Sequence, residues 1–120
     1  MNSVVLIGSL DRDPELALHK GTAIVRFVVK TVHSYEDRGG IPREQVDLHR
    51  VIAYGGVAIA VSKLERGEHL GVEGRISSKS ITRNGERRWK TEIVAERIEY
   101  LTPRAQKGKA APAIVNAQRA

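Results

Sequence analysis

The chain has no cysteine. That excludes disulfides, thiolate nucleophiles and any zinc or iron–sulfur site built on cysteine, and it accords with a reducing compartment. Aromatic residues are scarce: Phe27, Tyr35, Tyr54, Trp89 and Tyr100 make up 4% of the 120 residues. Any task that needs rings rests on very few positions. No apolar run approaches the roughly 20 residues that cross a bilayer as a helix, so no membrane association of that kind is expected. The opening Met1-Asn2-Ser3-Val4-Val5-Leu6 lacks the basic start and long apolar stretch of a secretory signal, and a cytoplasmic protein is expected.

What remains is ordinary globular material, 41% hydrophobic and 28% charged, in a length that suits one hydrophobic core. The net charge is +6, from 20 basic and 14 acidic residues. Its placement is uneven. Residues 103–120 hold Arg104, Lys107, Lys109 and Arg119 and no acid, which leaves 16 basic against 14 acidic residues in 1–102. A basic balance points toward polyanions. A short Ala-rich basic terminus that merely aids solubility accounts for the same numbers, and on charge alone both readings stand.

Residues 3–10 are β-branched and apolar, end at the turn-forming Asp11-Arg12-Asp13-Pro14, and read as a first strand. Over 22–34, Val25, Phe27 and Val29 alternate with Ile24, Arg26, Val28 and Lys30, the period of a half-buried strand with Phe27 in the core. Residues 35–42 are polar and glycine-rich, a loop, and 44–54 form a third strand that stops at Gly55-Gly56. Residues 57–66 place Val57, Val61 and Leu64 at helical spacing, with Gly67 as the left-handed stop. Alternation returns from residue 69, with Leu70, Val72, Gly74 and Ile76 on one face. Asn84-Gly85 signals a hairpin, and 87–101 make a fifth strand through Trp89, Ile93, Ala95 and Ile98, ended by Pro103. One domain is expected over 1–102 and a short basic, flexible tail over 103–120. Three strands, one helix and two strands is the order of an all-β, five-stranded Greek-key OB-fold barrel with one α-helix between its third and fourth strands.

Four segments then become specific. They are Val5-Leu6-Ile7-Gly8-Ser9-Leu10-Asp11-Arg12-Asp13-Pro14-Glu15; Glu44-Gln45-Val46-Asp47-Leu48-His49-Arg50-Val51 with Tyr54-Gly55; Leu64-Glu65-Arg66-Gly67 with Val72-Glu73-Gly74-Arg75-Ile76; and Asn84-Gly85-Glu86-Arg87-Arg88-Trp89-Lys90-Thr91-Glu92-Ile93-Val94-Ala95. In this order they resemble the Gly-x-Leu and Asp-Pro-Glu opening, the Trp-His-Arg-Val strand, the Val-Glu-Gly-x-Leu strand and the last hairpin of bacterial single-stranded DNA-binding proteins. Each segment is weak alone, and the four in register over residues 2–101 are strong.

The resemblance implies a non-catalytic protein that binds and protects single-stranded DNA in replication, recombination and repair. Such binding needs cations to replace counterions on the phosphates and ring faces on which bases stack. Tyr35 and Tyr54 fall at stacking positions of the family. Leu48 stands where the family has Trp, and Ile81 near another of its aromatic positions; each lost ring removes about 1–3 kcal/mol of stacking, so binding weaker than the family norm is expected. Trp89, among Arg87, Arg88 and Lys90, is a further candidate, with packing on a subunit surface as its alternative. Arg26, Lys30 and Arg50 are the expected groove cations. Lys79, Arg83, Arg87 and Arg88 flank the hairpin that reaches out as a DNA-embracing arm in the family. For any one of them a solvated surface charge is the plain alternative.

The resemblance also implies self-association, as a homotetramer or a dimer, with Val4 and Leu6 of the first strand and His49 at the interface. The family's acidic C-terminal tip, which recruits replication and repair proteins, has no counterpart in the basic residues 103–120. A bacterial, nucleoid-associated location follows from the same likeness. His19, His33, His49 and His69 have no metal-ligand spacing and the acids form no cluster, so no metal, cofactor or catalytic residue is expected. A nuclease is the enzyme-class competitor and lacks that carboxylate cluster. A primosome-type accessory OB protein, binding single strands weakly and acting through a replication protein, is the other alternative.

Overall fold

A computed structural model describes residues 1–102; the expected tail over 103–120 lies outside them. The elements run β1 (Val4–Leu10), β2 (Glu15–His19), β3 (Thr22–Glu36), β4 (Pro42–Tyr54), α1 (Gly55–Ser62), β5 (His69–Arg83) and β6 (Glu86–Tyr100). The sheet order is β1-β5-β6-β4-β3-β2, and an extra β1–β3 pairing through Ser9 and Leu10 closes β1, β5, β6, β4 and β3 into a five-stranded barrel. Fold and barrel are those expected of an OB-fold, with β2 added at the edge of β3.

β2 is the strand missing from the sequence reading. Glu15-Leu16-Ala17-Leu18-His19 has no β-branched residue and every position is exposed, so nothing in its composition marks a strand. It is held as a hairpin on β3 by Lys20 and Gly21, both at positive φ. Two boundaries also move. The helix spans Gly55–Ser62 rather than 57–66, ending at Lys63, and Gly67 lies in the turn beyond it. The loop expected over 35–42 shrinks, because β3 runs through Tyr35 and pairs Tyr35 with Arg43 and Glu36 with Pro42.

Inside the barrel sit Val25, Phe27 and Val29 of β3, Val51 and Ala53 of β4, Leu70 and Val72 of β5, and Ala95 and Ile98 of β6, closed by Ala58, Val61 and Leu64. Ala95 and Ile98 both point inward although three residues apart, because a bulge at Glu73/Gly74 shifts the β5–β6 register. β3–β4 and β5–β6 are longer than the barrel needs and project as two hairpin arms. For that reason Ile76 and Trp89, on the pleat face of the core, are exposed rather than buried. A Cβ at Gly8 would lie 2.0 Å from the Lys30 carbonyl oxygen, and one at Gly74 2.0 Å from that of Val94. The first glycine lets β1 approach β3 where the barrel closes, and the second lets β5 and β6 come together at the bulge.

Candidate nucleic-acid interface

Residues paired across a sheet project to the same face, so the register assigns each side chain. In β3–β4 the pairs Arg26 with Ile52, Val28 with Arg50, Lys30 with Leu48 and Ile24 with Tyr54 occupy the outer face of the barrel. The structure thus brings Arg26, Lys30, Leu48, Arg50 and Tyr54 onto one surface. Tyr54 is 41% exposed and Leu48 54%, whereas Ile52 is 2% exposed without belonging to the interior cluster. Val94 of β6 lies beside it in register. Ile52 is therefore a packed floor between the exposed groups.

An open groove of about 320 Å³ crosses this face, lined by Arg12, Arg26, Arg50 and Lys90 as cations and by Asp13, Glu15 and Glu92 as carboxylates. Arg12 and Lys90 are groove cations that sequence reasoning missed. No local signal marks them, since the groove joins the β1–β2 turn, β3, β4 and β6. Arg12 lies 3.3 Å from Asp11, and Lys90 3.8 Å from Glu92. Both pairs are partly exposed and tie up the cations only weakly.

The β5–β6 arm divides its candidates. Lys79 opposite Lys90, Ile81 opposite Arg88, and Arg83 opposite Glu86 share the outer face, continuous with the groove through Lys90. Lys79 lies directly opposite Lys90, so two like charges adjoin on this face, with the Glu92 carboxylate 3.8 Å from Lys90. Ser80 opposite Trp89 and Thr82 opposite Arg87 share the other face. There the Arg87 guanidinium lies 5.6 Å from the Trp89 ring centroid, and its Nε donates to Ser80 Oγ at 2.8 Å. Trp89 is 67% exposed, with one ring face taken by arginine. It and Arg87 are set apart from Arg88, Lys79 and Arg83.

Tyr35 is likewise separated from Tyr54. It continues the Val25, Phe27, Val29 series on the inner face of the β3–β4 arm, beside His33 and opposite Arg43. Asp37 fixes the arm's tip: its carboxylate accepts from the backbone N–H groups of Gly39 at 2.9 Å and Ile41 at 3.0 Å, and from Arg43 Nε at 3.0 Å. The Ile41 N–H and then the Arg43 guanidinium hold the Asp37 carboxyl below its ordinary value, against a smaller opposing effect of burial.

Of the three expected interface residues, Val4 and Leu6 alternate inward, Leu6 packing against the core. His49 shares a 2.8 Å hydrogen bond with the Thr31 hydroxyl. The outward groups of β1 are Val5 and Ile7, 66% and 67% exposed, and they line a shallow depression with Gly71, Glu73, Arg97 and Glu99. Among the described residues no group of three His, Asp or Glu side chains is placed to hold a metal ion, and no helix is long and apolar enough to cross a membrane.

Comparison with known proteins falls on the same ground. The chain is 35% identical over 105 residues to single-stranded DNA-binding protein 3 of Clostridium acetobutylicum, covering 84% of this chain and 71% of that one. It is 33% identical over 113 residues to single-stranded DNA-binding protein 1 of Xylella fastidiosa, covering 91% and 83%. Among solved structures, a deletion mutant of the single-stranded DNA binding protein from Thermus aquaticus superposes with a TM-score of 0.77 at 31% identity, over 88% of this chain and 52% of that chain. The Plasmodium falciparum protein solved in complex with single-stranded DNA shares the fold, with a TM-score of 0.70 at 22% identity over 79% and 86%. Residues 1–101, the whole barrel with both arms, match the family described as the single-strand binding protein family, and the chain belongs to it.

Proposed function

We propose that this chain binds single-stranded DNA with little regard to sequence and protects it during replication, recombination and repair. The carrying observation is the continuous outer face on which Arg26, Lys30, Arg50 and Tyr54 meet Lys90, Lys79 and Arg88. Cations along the groove replace phosphate counterions, and Tyr54 offers a ring to an unstacked base. The family is one of non-catalytic DNA-binding proteins, and the chain is not an enzyme. Leu48 and Ile81 lie on this same face with aliphatic side chains. That favours modest affinity, and with it the second reading, an accessory protein that works mainly through a replication partner.

Self-association, as a dimer or homotetramer, is part of the proposal. β1 pairs with β5 along Val4–Ser9 but meets β3 only at Ser9 and Leu10, so most of its other edge is unpaired, with Val5 and Ile7 projecting beside it. An apolar edge strand of this kind invites a second copy. A bacterial, nucleoid-associated location accompanies this function. The test is anisotropy of a labelled oligothymidine with unlabelled duplex DNA and single-stranded RNA as competitors. Binding that survives both supports the proposal; equal competition by duplex overturns it.

A further inference from the structure

His33 and Tyr35 are two residues apart in β3 and therefore project from one face of the arm. Their ring centroids lie 6.1 Å apart with planes inclined by 13°. Both are exposed, and the arm around them, residues 31–36 and 42–47, contributes nothing to the interior cluster. The pair is thus not explained by core packing. It stands next to the Asp37 clasp, which fixes the tip and engages Arg43, the residue opposite Tyr35.

Two nearly parallel exposed rings on a fixed arm are a stacking platform, and imidazoles serve as base-stacking groups alongside phenol and indole rings. We infer that His33 is a second base-contacting ring beside Tyr35, so that the β3–β4 arm holds two neighbouring bases on its inner face, and that this contact strengthens when the imidazole is protonated. This rests on the single-strand binding proposed above and adds a residue and a pH response to it. Histidine is the side chain that ordinarily gains charge between about pH 8 and pH 5, and a cation near the phosphates favours binding. The groups sharing its face are Gln45 directly opposite, then Arg43 and Asp47 diagonally, then His49. Arg43 opposes a positive imidazole and is engaged by Asp37, while Asp47 favours one and accepts a 3.1 Å hydrogen bond from Gln45.

The test compares wild type, His33→Ala and His33→Phe by anisotropy of an oligothymidine at pH 8 and pH 5.5, since thymine does not titrate in that range. Melting temperatures of the three should agree, because the arm carries no core residue. At pH 8, His33→Ala should bind roughly fivefold more weakly, the low end for one lost stack, and His33→Phe should match wild type. From pH 8 to pH 5.5, wild type should gain more affinity than His33→Phe, which keeps a ring but not the charge; the other histidines are common to both. Equal affinity of wild type and His33→Ala at pH 8 overturns the stacking role. Parallel pH profiles of wild type and His33→Phe overturn the protonation. A wild type that fails to bind the oligonucleotide overturns the parent proposal and the platform with it, and is recognised before any variant is examined.

Discussion

Tyr54 is the ring that the outer face presents most plainly, and its surroundings define what it can do. It is partly exposed, beside Ile24, on the face that also carries Arg50. Tyr54→Ala should weaken oligothymidine binding by about 1–3 kcal/mol, read from titrations at fixed salt, and unchanged affinity in a folded variant would remove Tyr54 from the site. The residue types of the site were legible in the chain, because β3 and β4 alternate without interruption from Ile24 to Glu36 and from Pro42 to Tyr54. Alternation puts Arg26 with Lys30 on one face of β3 and Leu48 with Arg50 and Tyr54 on one face of β4, and the β3–β4 register joins the two sets on the outer face. Alternation along β6 by itself separates Arg88 from Arg87 and Trp89, whereas the grouping of Lys79 and Arg83 with Arg88 depends on a cross-strand register that one strand's sequence does not contain. His33 lay within reach: His-x-Tyr in a strand puts both rings on one face, once that strand is known to continue past residue 34.

At the level of elements, the long β-branched strands announced themselves, and β2 did not because its residues favour no strand and bury nothing. Two sequence motifs acquire a steric meaning. Gly8, in the opening segment, and Gly74, in Val72-Glu73-Gly74, sit where a Cβ would strike a neighbouring carbonyl oxygen. Gly74→Ala should cost about 3 kcal/mol in urea unfolding, the upper end for over-packing, and a wild-type midpoint would show that the bulge yields easily. The Asp37 clasp makes a second element-level prediction. Its carboxyl is held below its ordinary value of 3.8 by hydrogen bonds that only the folded tip provides. A depressed folded value means that the contribution is present above the unfolded value and is lost as pH falls through the folded one. The Gly39 and Ile41 amides should therefore stay protected from exchange throughout the neutral range and open only in strong acid. Asp37→Asn should expose them already at pH 7, and full protection in that variant would show that the charge is not needed.

For the molecule as a whole, the barrel presents two separate demands on its surroundings: a cationic outer face across β3, β4 and β6, and an apolar, unpaired edge along β1. Ile7 is exposed, and a glutamate there would place charge on that edge without touching the core. Ile7→Glu should lower the solution mass measured by sedimentation relative to wild type, and an unchanged mass would move the proposed self-association away from this edge. The central claim concerns the other demand, that phosphates lie along the groove between Arg26 and Arg50. Each phosphate neutralised on a single strand contributes about 0.7 to the slope of log affinity against log salt. The most direct measurement is that slope for oligothymidine binding, in wild type and in Arg26→Ala/Arg50→Ala. A slope shallower by about 1.4 in the double variant is predicted; the same slope in both proteins would contradict the assignment of this face to DNA.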